Sequence, residues 1–239
     1  MDHEHGSASP GAPRAFYEGL AGRTLDRSTI RGILYRNLVV ANHVPGSGRR
    51  VLEVGPGEGW LTRALTLRGH RVIAVDLSRP WLAAIPDDAA AGKAAAEMTR
   101  LPFPDASFDT VVAAEVIEHI PDMAGALSEA ARVLTSGGRL VVTVPYRETL
   151  KFAVRPDSGI RYEVNGHVRS FDEAVLEDAL RAAGLLPERR FIGPTRFSRE
   201  ILRRAPIAPL LPMLNALDRA TYRSQRVSDT WMLVAARRP

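Results

Sequence analysis

Between Val51 and Trp60 the chain reads VLEVGPGEGW, an apolar run that closes into glycines at 55, 57 and 59 and then opens a helical pattern. The run suits a buried strand. Glycines let the backbone turn sharply and approach a ligand closely. The rhythm repeats along the chain. Arg50–Val54 reads as a strand, Trp60–Leu67 as a helix, and Arg71–Val75 as a second strand ending in Asp76. Ser78 caps the next helix, with Pro80 in its first turn. Ala94–Met98 reads as a short third strand and Phe108–Ala114 as a buried fourth. Asp122–Leu134 is an amphipathic helix with Met123, Ala126, Leu127, Ala130, Val133 and Leu134 inward. Gly137 and Gly138 end that connection, Arg139–Val144 is another strand, and Pro145 stops it. Short apolar runs alternating with helical patterns predict an α/β fold with a parallel sheet and crossover helices.

Beyond Pro145 the pattern changes. Residues 147–168 have no clean period and read as a loop or lid. Ser170 and Glu173 have the spacing of an S-x-x-E capping box. The helix after it buries Phe171, Val175, Leu176, Ala179, Leu180 and Ala183, and Gly184 caps its end. Residues 188–193 and 230–236 read as two final strands. Between them a Pro-broken, Leu-rich insertion from Thr195 to Tyr222 predicts short helices over the site's mouth.

A chain of 239 residues with 45% hydrophobic and 25% charged side chains suits one globular domain. We expect a disordered tail over 1–15, rich in Gly, Ser, Pro and Ala, then a single domain over 16–239. Its ligand-binding core spans 49–146, and its lid and substrate-side segments span 16–45, 147–168 and 194–226. The tail's His3 and His5 read as solvated. With no cysteine, disulfides and thiolate metal sites are excluded, which fits a cytoplasmic protein. No apolar run reaches the length of a membrane span, and the start lacks the apolar core of a signal peptide. The net charge of +5 is uneven: residues 181–239 carry +8 and residues 1–180 carry −3. A basic final third suits nucleic acid, anionic lipid or an acidic substrate. Arginine outnumbers lysine thirty to two throughout, so a general Arg bias accounts for it as well.

A strand, glycine turn and helix bind nucleotides because the helix N-terminus offers free N–H groups and partial positive charge. An acid at the end of the second strand accepts from ribose hydroxyls, and Asp76 stands there. Dinucleotide-binding enzymes use G-x-G-x-x-G, whereas the last glycine here comes one position early, at Gly59. Glu53, two residues before Gly55, suits a cationic ligand better than a pyrophosphate.

On these motifs the chain resembles the class I S-adenosylmethionine-dependent methyltransferases, especially the small-molecule group that includes ubiquinone and menaquinone pathway enzymes. VLEVGPGEG and VIAVDLS resemble the first two motifs. AEMTRLPFPDASFDTVVAAEVIEHIPD resembles GDAExLPFPDxSFDxVxxxxVLEHxPD, and LTSGGRLVVTVP resembles LKPGGxLxxxxP. GHVRSFDEAVLEDALRAAGL extends the likeness past residue 146. The resemblance implies a Rossmann-like, doubly wound, seven-stranded and mostly parallel sheet with the last strand antiparallel, plus a helical cap. It implies that Gly55, Gly57 and Gly59 line the methionine part and ribose of S-adenosylmethionine, with Glu53 organising the turn and the amino group. Asp76 would bind both ribose hydroxyls and Leu77 would pack on adenine. Glu97, one methylene longer than the family's usual Asp, would accept from the adenine amino group. Met98 would offer its N–H, and Glu115 would face the methyl group's surroundings.

Methyl transfer from a sulfonium needs close, aligned reactants, and an oxygen acceptor also needs a base. His119, at the carboxyl edge of the sheet, is the candidate base, with Glu115 beside it. The element EVIEH at 115–119 also resembles that of metal-assisted O-methyltransferases, so Glu115, Glu118, His119 and His167 form an alternative divalent-metal set; the main expectation is no metal. His43 and His70 read as structural or exposed. Tyr17, Tyr35, Tyr146, Arg147, Tyr162, Phe197 and the helix 28–42 are candidates for shaping an apolar substrate pocket, or equally for core packing. The expected partner is a small-molecule substrate, the expected reaction O-methylation of a hydroxyl or phenol on a quinone-like compound or secondary metabolite. RNA methylation through the basic third and non-catalytic cofactor binding are the alternatives; the lack of a Lys/aromatic stripe argues against nucleic acid.

Overall fold

The structure is a computed structural model that describes residues 26–204, 207–221 and 230–239. The expected tail over 1–15, with His3 and His5, and Tyr17 lie outside the described residues. Seven strands form one sheet in the order β3-β2-β1-β4-β5-β9-β8. They are β1 (Arg50–Val54), β2 (Arg71–Asp76), β3 (Gly92–Ala95), β4 (Phe108–Ala114), β5 (Leu134–Pro145), β8 (Leu186–Gly193) and β9 (Trp231–Arg237). Neighbours from β3 to β5 pair in parallel, and β9 runs antiparallel to both β5 and β8. The fold is therefore the doubly wound, Rossmann-like α/β sheet with an antiparallel last strand.

Alternate residues of each central strand serve opposite faces. Leu52, Val54, Val111 and Ala113 pack with Ala126, Leu127 and Ala130 of α4 (Met123–Val133) and with Leu176 and Leu180 of α5 (Glu173–Ala182). Val51, Val112 and Val141 pack with Tyr35 and Val39 of α1 (Arg27–His43) and with Leu61 and Leu65 of α2 (Trp60–Leu67). Leu202 of α6 (Arg196–Arg204) and Leu211 and Leu214 of α7 (Ile207–Thr221) complete that second layer. A sheet covered on both faces needs strands that are apolar throughout, which these are. Glu53, between Leu52 and Val54, is therefore a carboxylate on the α1–α2 side of a buried strand.

Several local expectations are corrected. The third strand lies two to three residues earlier than Ala94–Met98, because Gly92–Ala95 pairs with Ile73–Asp76. β5 begins at Leu134, directly after α4. Residues 147–168 are not without regular structure: β6 (Phe152–Val154) and β7 (Arg161–Glu163) form an antiparallel hairpin. The capping box fails because Asp172, not Ser170, accepts from Val175 N–H and starts α5, while Glu173 accepts from the Tyr146 hydroxyl at 2.9 Å. Val175 is exposed rather than buried. Ser78 does cap α3 (Arg79–Ala84), accepting from Trp81 N–H. His43 and His70 are both buried.

The cap over the sheet is tied by one buried carboxylate. Asp218 of α7 accepts from the Tyr35 hydroxyl at 2.7 Å, the Thr195 N–H at 2.8 Å and the Ser198 hydroxyl at 2.5 Å. Thus α1, α6, α7 and the turn after β8 share one acceptor. Among the described residues no helix is long and apolar enough to cross a membrane.

Candidate active site

The carboxyl ends of β1, β2 and β4 build the site. β1 is followed by Gly55, whose N–H donates to the Val75 carbonyl at 2.8 Å and so sets the glycine turn beside the end of β2. Gly55 has φ +66, and a Cβ there would stand 2.6 Å from the Val116 side chain. Only glycine satisfies both constraints. Gly57 differs: with φ +52 and nothing within 4 Å of a built Cβ, it faces open space. Gly59, also left-handed, starts α2.

This turn borders a cavity of about 200 Å³ lined by Glu53, Gly55, Gly57 and Trp60 on one side, and by Arg36 of α1 and Trp81 of α3 on the other. Glu53 is 2% exposed, and its Oε2 has no hydrogen-bond partner. Burial pushes its carboxyl up to about 8. A buried carboxylate oxygen without a partner is costly, and a cationic ligand group relieves it. The cradle therefore fits the ammonium end of S-adenosylmethionine, with Gly57 leaving room for close approach.

Asp76 closes β2, half-buried, and accepts from the Ser78 N–H at 2.8 Å. Burial raises its carboxyl above the usual range. Leu77 is half-buried beside it, Met98 is buried, and Glu97 is exposed. These residues flank the glycine turn along the sheet edge without lining the cavity itself.

Glu115 closes β4 in a left-handed conformation, φ +58. Its carboxylate accepts from the Thr143 hydroxyl at 2.9 Å and pairs with Arg36 at 3.3 Å. A 3-10 turn, Ile117–His119, follows. Glu118 is buried with both oxygens unpartnered. Burial first, and the Glu115 charge second, raise its carboxyl well above the ordinary value. His119 is pushed down to about 4, chiefly by burial, so its imidazole is neutral at neutral pH. Its Nδ1 lies 3.2 Å from the Gly166 carbonyl, which can only accept, so Nδ1 carries the proton. The segment around β7 closes on this turn: Val168 N–H donates to the Glu118 carbonyl at 2.8 Å, and Arg169 donates to those of Ile120 and Pro121. His167, hydrogen-bonded to Glu148, stacks edge-on against His119 at 4.7 Å.

The structure thus brings together Glu118, His119 and His167, whose ligand atoms lie within 4.8 Å of one another. Glu115 stands apart from that group, held by Arg36. His119 faces the lid segment and lines neither described cavity. Of the aromatic candidates, Tyr35 is core, Tyr146 binds Glu173, and Tyr162 and Phe197 are exposed. Sequence reasoning missed Arg36, Trp60 and Trp81 as cavity walls. Ile33, Arg36 and Asn37 have i, i+3, i+4 spacing on α1, which is the signal that marks one helix face.

A second cavity, about 380 Å³, opens between α1 and α6 and shares Ile33 and Arg36 with the first. Pro194 and Trp231 contribute to its walls.

Residues 52–142 match the methyltransferase domain family. A Mycolicibacterium smegmatis protein named as a probable S-adenosylmethionine-dependent methyltransferase is 36% identical over 143 residues, 58% of this chain and 52% of that protein. The ubiquinone biosynthesis O-methyltransferase of Xylella fastidiosa is 33% identical over 122 residues, 47% of this chain and 48% of its own. The chain thus spans about half the length of these curated relatives. In fold it is similar to the Burkholderia thailandensis 1,6-didemethyltoxoflavin-N1-methyltransferase, at TM-score 0.63 and 20% identity over 100% of this chain and 93% of that one. That structure holds S-adenosylhomocysteine. Residues 52–142 thus match a methyltransferase domain and are similar to the corresponding part of proteins named as S-adenosylmethionine-dependent methyltransferases.

Proposed function

We propose that this protein transfers a methyl group from S-adenosylmethionine to an oxygen of a small-molecule acceptor, a hydroxyl or phenol on a quinone-like compound or secondary metabolite. The observation that carries the reading is the join between two cavities. One has the buried Glu53 carboxylate with its unpartnered Oε2 and the open face of Gly57; the other is large enough for a small organic molecule, and they meet at Ile33 and Arg36. The quinone-pathway relative supports an oxygen acceptor.

S-adenosylmethionine, when bound, supplies a methyl group on a positively charged sulfur. Glu53 holds the cationic amino group, and Asp76 accepts from the ribose hydroxyls. Arg36 and Glu115 tie α1 to the end of β4 at the join between the cavities. We assign the proton acceptor to Nε2 of His119, neutral and with its own proton on Nδ1; because the ring lines neither cavity, the substrate hydroxyl has to reach past Glu115 to the Ile117–His119 turn. The segment 163–169 orients that ring through the Gly166 carbonyl.

A second reading gives Glu118, His119 and His167 to a divalent metal, favoured by their grouping and by the unpartnered Glu118 oxygens. Such an ion would lower the pKa of a bound hydroxyl. The test of the main reading is a screen for S-adenosylhomocysteine formation against phenols, quinone precursors, glycosides and amines. Turnover of phenols or quinone precursors supports it, and turnover confined to amines overturns the oxygen assignment.

A further inference from the structure

We propose that Glu163 is the positioning residue of the lid: through one peptide unit its buried carboxylate aims the Gly166 carbonyl at His119 and so holds that ring with its proton on Nδ1. The inference rests on the reading of His119 as the base and names what aims that base. Glu163 ends β7 and is 9% exposed. One of its oxygens accepts from the Lys151 N–H at 3.0 Å, directly before β6. The other accepts from the Asn165 N–H at 2.7 Å and the His167 N–H at 2.9 Å. Three backbone donors, from both ends of the hairpin, converge on one side chain. Hydrogen bonds to an ionised acceptor are about twice as strong as neutral ones.

The consequence for His119 follows from peptide geometry. The His167 N–H and the Gly166 C=O belong to one planar, trans peptide unit, so they point in opposite directions. Glu163 grips the N–H, and the C=O therefore faces away from it, where His119 Nδ1 lies at 3.2 Å. The Gly166 N–H is held as well, on the Glu163 carbonyl at 3.1 Å. The next contact keys this turn to the Ile117–His119 turn: the Val168 N–H donates to the Glu118 carbonyl at 2.8 Å. Linked hydrogen bonds polarise one another. A negative charge on the N–H side makes the Gly166 oxygen a better acceptor, which favours the Nδ1–H form of the ring and leaves Nε2 as its basic nitrogen.

Apolar burial contributes little to the shape of this segment, because Phe152, Val154, Ile160, Tyr162 and Val164 are all exposed. Its polar contacts decide where the 165–168 turn sits. The segment leaves the core at Tyr146 and rejoins it at Phe171, both buried, and the Arg147 N–H closes it on the Phe171 carbonyl at 2.7 Å. A change of hydrogen bonding inside it therefore leaves the sheet and the glycine turn in place. Alanine at 163 removes the shared acceptor. Glutamine keeps one acceptor oxygen for the Asn165 and His167 N–H groups and gives up only the Lys151 contact. Gly159, with φ +69 at the far tip of the hairpin, supplies a control: alanine there strains the tip and touches none of the contacts of Glu163.

The test is nuclear magnetic resonance of the histidine ring nitrogens in the isotope-labelled full chain near neutral pH, with the His119 signals identified by their loss in His119→Gln. The parent shows a neutral ring protonated on Nδ1. E163A shifts that ring toward the Nε2–H form, which has no free Nε2 lone pair to accept a proton. With the acceptor found by screening, E163A also lowers kcat about tenfold or more, while KM for S-adenosylmethionine stays within about threefold. E163Q and G159A keep the parent's ring form. An unchanged His119 ring in E163A, or an equal change in G159A, overturns the inference. A changed ring in E163A beside normal turnover by His119→Ala supports the positioning and overturns the base reading alone.

Discussion

The guanidinium of Arg36 on α1 stands 3.3 Å from the carboxylate of Glu115 at the end of β4, each side chain only about one-fifth exposed. The pair joins the cap to the sheet between the two cavities. Because Glu115 also accepts from Thr143, removing Arg36 leaves an oriented carboxylate with one partner fewer. Ion pairs of this partly buried kind contribute about 1–2 kcal/mol. Arg36→Ala and Glu115→Ala should each weaken S-adenosylhomocysteine binding about fivefold to thirtyfold. The double variant should be no worse than the weaker single one, as a titration cycle would show. Full additivity would mean that the two side chains act independently.

Glu53 makes apo stability depend on pH. Unfolded, its carboxyl releases its proton near 4.5; folded, burial holds the proton to about 8. Between those values the folded chain binds more protons, so this group favours folding at low pH and its contribution fades as pH rises. The slope is at most about 1.4 kcal/mol per pH unit. Urea unfolding of the ligand-free protein from pH 5 to 8 should show that decline, and Glu53→Gln should flatten it. A variant with the parent's slope would contradict the assignment. Binding of a cationic group favours ionised Glu53, so cofactor affinity should rise with pH over the same window.

Asp218 should matter to the cap more than to the chemistry. Asp218→Ala removes the shared acceptor of the Tyr35 hydroxyl, the Thr195 N–H and the Ser198 hydroxyl, leaving them their other contacts to Asn215 Oδ1, Ser198 Oγ and the Thr195 carbonyl. Losing a buried acceptor shared by three donors that keep second partners costs about 2–3 kcal/mol, whereas Tyr35→Phe costs about 1. Chemical denaturation checks both, and a loss below about 1 kcal/mol for Asp218→Ala would remove the hub role.

The sequence made the sheet edge legible because glycine spacing, strand ends and caps are local signals. Gly55, Gly57 and Asp76 stand where their positions in strand and turn require. The cap was harder to read. Arg36 and Trp81 lie on helices whose packing against the sheet is set by tertiary contacts, not by their own pattern. The hairpin of β6 and β7 has strands of three residues, too short for a period, and Asp172 displaced Ser170 as the helix cap by one hydrogen bond to Val175. Glu97 and Val175 show the limit of pattern reading: a carboxylate inside a motif and an apolar residue on a helix are both exposed here.

His119 separates the two readings of the chemistry. His119→Ala should lower turnover about 10²- to 10⁴-fold as the loss of a base, with S-adenosylhomocysteine affinity held within about threefold. A chelator should leave the parent's rate unchanged if the ring acts as a base and abolish it if Glu118, His119 and His167 hold a metal. Normal turnover by His119→Ala would remove both roles.

The proposed site of the methyl donor is the sheet edge between Gly55 and Asp76. Calorimetric titration of the full chain with S-adenosylmethionine tests it most directly. One site per chain is predicted, with affinity weakened about thirtyfold or more in Asp76→Ala through the loss of charged hydrogen bonds. No binding by the parent chain, or unchanged affinity in Asp76→Ala, would contradict it.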